Sequence, residues 1–317
     1  MTATLAAHAD WSLFPAKRWL TRAVRAGGGW RVAVPEPVGD PAQLAPRLLA
    51  AAGGGAVALG VDLPLGLPRR YAELYATVAD FPAFLRGLAQ RPDFFTVCPT
   101  LAEVAPDRPF YPARGVRGMT RAAHAAALGL GSAAGLSRWC DRATAERPAG
   151  APLFWTLGAN QSGKAAIAAW RDFLVPALAT DAPPRLWPFE GDLLRLLAPG
   201  RIAVAETYPA EALRHLGLRM GGSKRRQADR AALAGPLRVA MERLRAHPAP
   251  ALERALDDGF GPDAAGEDRF DSLLGVLCVL GVLDGIRPDG APDDPWIRLW
   301  EGWVLGQTAL PPMPPLP

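Results

Sequence analysis

An α/β fold is predicted for this chain by three features of its sequence. Short apolar runs separated by turn residues open it, as in an antiparallel meander. A helical pattern ending in glycines follows, and then AVALGVD at 56–62, a continuous apolar run with the length and composition of a strand covered on both faces. Ten Trp, eleven Phe and an apolar half provide core for 317 residues, so thirty-three Gly and thirty-three Pro do not signal disorder.

In chain order, TLAAHADWS (4–12), KRWLTRAV (17–24) and GWRVAVPEPV (29–38) are the three opening strands, with the turn-like RAGGG between the last two. PAQLAPRLLAAAGG (41–54) spaces Leu44, Leu48 and Leu49 for one helix face and stops at glycine. The order is therefore β-β-β-α-β. From 69 to 150 the text turns irregular and reads as a mostly helical insertion, with YAELYATVADFPAFLRGLAQ (71–90) and TRAAHAAALGLG (120–131) as its helices. A strand at PLFWTL (152–157), a helix at GKAAIAAWRDFLVPAL (163–178) and an apolar strand at RIAVAETYP (201–209) follow. QADRAALAGPLRVAMERLRAH (227–247) is an amphipathic helix bent by its proline, and DRFDSLLGVLCVLGVLDG (268–285) is a core helix, apolar all round over 273–283. Residues 1–308 form one domain in this reading, and ALPPMPPLP (309–317) is a disordered polyproline tail.

A net charge of +4 with a pI near 9.2 is compatible with an anionic partner, although an arginine-rich composition alone produces it. Cys98, Cys140 and Cys278 lie far apart and form no C-x-x-C pair, so neither a disulfide framework nor a zinc site is indicated. The start shows no basic n-region or long apolar h-region, so no signal sequence is expected, and no apolar run reaches the roughly 20 residues that span a bilayer. The expected location is the cytoplasm, away from membranes.

Carboxylates stand at the ends of the apolar elements. Asp10 ends the first strand, Asp62 the fourth and Glu206 a later one, while Asp268 and Asp271 open the buried terminal helix, Asp268 as its N-cap. Groups at the carboxyl ends of neighbouring strands converge, since strands lie only about 4.8 Å apart. Two such charges about 5 Å apart repel by roughly 3 kcal/mol at an effective dielectric near 20. Either one carboxyl takes a proton, or a hard divalent cation, Mg2+ or Mn2+, sits between them. Taken singly, Asp10 and Asp62 also suit Asx turns, and Glu206 a salt bridge to an arginine.

The segments ADWS…KRW (9–19), GVDLPLGLP (60–68), LWPFEG (186–191), AETYPAEALRHLG (205–217), RFDSLLGVLCVLGVLDG (269–285) and EGWVLG (301–306) together resemble the uncharacterised family described as predicted RNase H-like nucleases. The resemblance covers most of the chain. It implies a mixed five-stranded sheet flanked by helices, with the first and fourth strands adjacent and an acidic site holding two ions; the helical insertion read above then follows the fourth strand. It implies Asp10, Asp62 and Asp271 as metal ligands supported by Asp268, and Glu206 as the glutamate of the E-x-Y-P segment. Asp10, Asp62, Asp271 and Glu206 are the expected catalytic set, and the substrate is a nucleic acid or another phosphate ester. Ser272 stands where the family often has Ala.

GANQSGKA (158–165) fits G-x-x-x-x-G-K between a strand and a helix, but Ala165 replaces the Ser or Thr that would hold magnesium. An ATP-dependent phosphotransferase is the alternative enzyme, and a non-catalytic nucleic-acid or nucleotide binding module the alternative of another class. Lys164 at that helix start, with Lys224, Arg225 and Arg226 of SKRRQADR, is a candidate for gripping substrate phosphates. Arg114, Arg117 and Arg121 form a second basic run. Trp11, Trp19 and Trp30 are candidates for base stacking, against the commoner role of strand aromatics as core. The four histidines form no ligand pair, and His215 alone stands near Glu206 as a proton shuttle.

Overall fold

The computed structural model of the chain describes residues 2–115, 117–157 and 162–312. Strand β1 (Leu5–Asp10) is buried at every position, because both faces of the sheet are covered. It pairs antiparallel with β2 (Trp19–Ala26) on one side and parallel with β5 (Val57–Val61) on the other. β2 continues to β3 (Gly29–Val32) and, further along the same edge, to β4 (Glu36–Pro37), while β5 pairs parallel with β7 (Ile202–Glu206). With β6 (Arg185–Leu186) and β8 (Ala246–Pro248) at the two edges, a mixed eight-stranded sheet runs β6-β7-β5-β1-β2-β3-β8.

The strands beyond the expected five are two or three residues long and proline-flanked, so they carry no periodic signal. One of them arises because Pro35 separates β3 from β4 within the single run read as GWRVAVPEPV. PLFWTL is not a strand: Trp155 contributes only an isolated bridge to Tyr111.

Successive residues of β1 serve different cores. Leu5, Ala7 and Ala9 face a cluster with Leu48, Trp170 and Phe173, built from the helix Leu44–Ala51, the insertion and the helix beginning Ser162–Ala169. Ala6 faces the long helix Gly266–Leu283, whose apolar residues bury Leu273, Leu277 and Leu280. The 71–90 text is two helices, Arg69–Tyr75 and Phe81–Gly87, because Asp80 caps the second by accepting from the Ala83 N–H at 2.8 Å. Between 69 and 150 the chain is therefore short helices, 3-10 turns and loops rather than mostly helix. The 227–247 pattern likewise splits into Gln227–Ala231 and Ala234–Arg243. Pro236 falls in the first turn of the second, where its missing N–H leaves no bond unmade. At the tail, Pro311 is buried, and residues 313–317 lie outside the described residues.

The long helix approaches the sheet very closely. A Cβ built on Gly275 would stand 2.2 Å from the His8 ring, and one on Gly60 would meet Val279 at 2.8 Å. Ser272 Oγ shares a 2.8 Å hydrogen bond with Thr21 Oγ1 and donates to the His8 carbonyl at 3.3 Å, tying the helix to β1 and β2. Burial brings the His8 pKa down to about 3, so the ring is neutral in this interface. Gly275→Ala is expected to lower unfolding free energy by about 3 kcal/mol, read from the urea midpoint, because neither helix nor ring has room to retreat.

Candidate functional site

Register decides which carboxylates meet. Ala9 pairs with Val61 in the parallel ladder, and the Asp62 N–H continues it by donating to the Ala9 carbonyl at 3.1 Å, so Asp10 and Asp62 are the next rung, on the face of the long helix. Their carboxyls lie within hydrogen-bonding reach of each other. Asp271, in the second turn of the long helix, faces them, and Asp268 stands one turn earlier. All four line one cavity of about 430 Å³. Asp268 is within the helix, not its N-cap; Ala265 holds that position.

The electrostatics follow from crowding. Burial, then Asp62 and Asp271, push the Asp10 carboxyl well above the usual range. Burial and Asp271 raise Asp62 to about 7, and burial raises Asp271 as well. Asp268, lifted to about 6 mainly by burial, has an Oδ2 without a hydrogen-bond partner. Lys224 Nζ takes both oxygens of Asp271, at 2.7 and 2.5 Å. Burial pulls the Lys224 pKa down, but Asp271 outweighs it and the net shift is upward. Among the described residues no three His, Cys, Asp or Glu side chains are already gathered closely enough to hold a metal ion. The donors are nevertheless hard oxygens with one orphaned atom among them, a chemistry that suits Mg2+ or Mn2+ once Lys224 releases Asp271.

Glu206 belongs to a different arrangement. It pairs with Val61 rather than Asp62, one residue out of step with the acidic rung, and so points to the insertion side of the sheet. Arg138 Nη1 and Nη2 donate to its two oxygens at 2.6 and 2.7 Å, and the Leu65 N–H donates to Oε2 at 2.7 Å. The same guanidinium donates to Asp141 at 2.8 and 3.0 Å and to the Leu65 carbonyl at 3.0 Å. Glu206 is thus a structural anchor at the cavity floor, the salt-bridged role the sequence also allowed. The loop LPLGLP turns here, and Gly66, at φ 135°, lies where a Cβ would strike the Glu301 carbonyl at 2.0 Å. Arg147 makes a neighbouring buried pair with Glu211 at 2.5 Å. No motif in the sequence marks Arg138 or Arg147, whose partners come from strands and helices far along the chain.

The expected phosphate ligands scatter. Lys164 lines the cavity, and residues 158–161 of its glycine motif lie outside the described residues. Lys224 neutralises Asp271 instead of facing solvent. Arg225 pairs with Glu267 at 3.7 Å and Arg226 with Asp229 at 2.6 Å, both largely exposed. Trp30 and Trp11 are core, and the half-buried Trp19 lies under the Arg269 guanidinium. His215 stands 3.4 Å from Glu211, not Glu206. Among the described residues, no helix is long and apolar enough to cross a membrane. Comparison with protein-family models, with curated proteins and with solved structures found no match for this chain.

Proposed function

We propose that the protein is a divalent-metal-dependent phosphodiester hydrolase with an RNase H-like sheet, acting on a nucleic acid. The observation that carries this is the shared rung of Asp10 and Asp62 with Asp271 opposite, all three carboxyls raised, in one cavity that also holds lysines. The strand run β3-β2-β1-β5-β7, with β1 antiparallel to β2 and parallel to β5, supports the RNase H-like reading.

Asp10, Asp62 and Asp271 would hold Mg2+ or Mn2+, with Asp268 in support. When bound, such a cation supplies Lewis acidity and lowers the pKa of a coordinated water. Asp10 and Asp62, whose carboxyls are raised by burial and by each other, would have to be deprotonated to hold the cation. Asp268, with its pKa raised to about 6 and Oδ2 unpartnered, is placed to take a proton from a water in the cavity. Lys164 and Lys17 on the cavity wall attract the substrate phosphate.

Lys224 competes with the cation for Asp271. Lys224→Ala is expected to tighten Mn2+ binding about tenfold in calorimetric titration, because the freed carboxylate has no other cation to satisfy it. The function itself is tested by incubating the protein with single-stranded, duplex and branched oligonucleotides in Mn2+ and in chelator. Cleavage only with the metal is expected; metal-independent cleavage, or phosphate transfer from ATP without cleavage, overturns the reading.

A further inference from the structure

Phe14 is the only exposed Phe, Trp or Tyr side chain among the described residues, at 63 % relative exposure, and it lines the acidic cavity. A single exposed apolar residue on a surface needs no explanation. This one differs because its backbone is braced to hold the ring outward. The Phe14 N–H donates to Ser12 Oγ at 3.3 Å, and Pro15 follows with its φ constrained. The buried Arg18 guanidinium donates to the carbonyls of Ser12 at 2.7 Å and Leu13 at 3.1 Å. Arg18 in turn lies 5.1 Å over the Trp11 ring, which stacks on Phe173 with centroids 5.7 Å apart. The loop between Asp10 and β2 is therefore anchored from below through Trp11 and Arg18, while the Phe14 ring stays in water at the cavity.

The same cavity is also lined by Lys17 and Lys164, cations that suit phosphate oxygens. We propose that Phe14 is a stacking platform for an unpaired base next to the phosphate held in the cavity, so that the substrate is single-stranded nucleic acid. A preorganised ring loses little entropy on stacking, and every base offers it a face. A duplex keeps its bases stacked on each other and must unpair one to reach Phe14. The inference rests on the phosphodiester reading for the class of polymer, but stacking and hydrolysis are read separately.

The test measures binding of a short fluorescent oligonucleotide by anisotropy in chelator, using the full chain. Its arms are single-stranded DNA, RNA of the same sequence, the duplex, and the same DNA strand with a run of abasic residues. Single strands are expected to bind about tenfold more tightly than the duplex or the abasic strand. Phe14→Ala should erase that preference without altering the abasic affinity, and Phe14→Trp should keep it and show indole quenching on binding. Equal affinity for abasic and base-bearing strands, or an unchanged preference in Phe14→Ala, overturns the proposal, as does absence of binding. Base-dependent binding without cleavage in Mn2+ would leave stacking standing and remove the hydrolase, whereas base-independent cleavage would do the reverse.

Discussion

Asp62→Asn is expected to reduce metal-dependent cleavage on the order of a thousandfold or more in kcat, and at the same time to stabilise the metal-free protein at pH 8. The second effect has a definite sign. The Asp62 carboxyl holds its proton to about pH 7 when folded, against an ordinary value of 3.8 in the unfolded chain. Between those limits the folded state binds the extra proton, so stability present near pH 4 is lost as pH rises through about 7. Asparagine has no proton to lose and keeps the neutral, hydrogen-bonded arrangement. The variant should match the wild type at pH 4 and exceed it by roughly 4 kcal/mol at pH 8 in chelator. Urea unfolding at both values checks this. A variant that is less stable than the wild type at pH 8 would mean that the carboxylates do not repel, and Mn2+ should narrow the gap by restoring the wild type alone.

Arg138→Met should cost about 3–5 kcal/mol, since it leaves Glu206 and Asp141 without their shared cation in a buried site. The loss is not packing alone. Combining it with Glu206→Gln should recover a good part of that stability, because one of the two uncompensated charges is removed and Asp141 alone remains. The recovery is measured by a double-mutant cycle in urea; strictly additive effects would refute the coupling. Limited proteolysis should show cleavage between residues 69 and 150 increasing in the single variant, as the guanidinium also donates to the Leu65 carbonyl and so ties the insertion to the loop after β5.

The elements that meet at the acidic rung were legible because each is long or strongly patterned. The six buried residues of β1, the run ending at Asp62 and the apolar helix after Asp271 all declare themselves. Their joint meaning came from residue type at element ends. What could not be read was parity. Both β5 and β7 are buried at every residue and apolar up to the carboxylate that follows or ends them, so no alternation tells which face Asp62 and Glu206 take. A register of one residue, visible only in the ladder, sends the first to the cavity's acidic wall and the second to Arg138. The split helices of the insertion were hidden for a related reason, since a capping Asp inside a continuous apolar pattern looks like an ordinary polar position. The clustered basic residues misled because their carboxylate partners Glu267 and Asp271 come from a distant helix.

The contact of Gly275 with the His8 ring has a consequence for the site above it. Gly275 lies one turn beyond Asp271, and His8 two residues before Asp10, so the gap between those two carboxylates is gauged by a ring resting on bare backbone. Such a stop has almost no compressibility, unlike a seam of flexible aliphatic chains. The separation of the two carboxylates is therefore set by that contact, and the size of the residue at 275 becomes the dial by which it would be tuned.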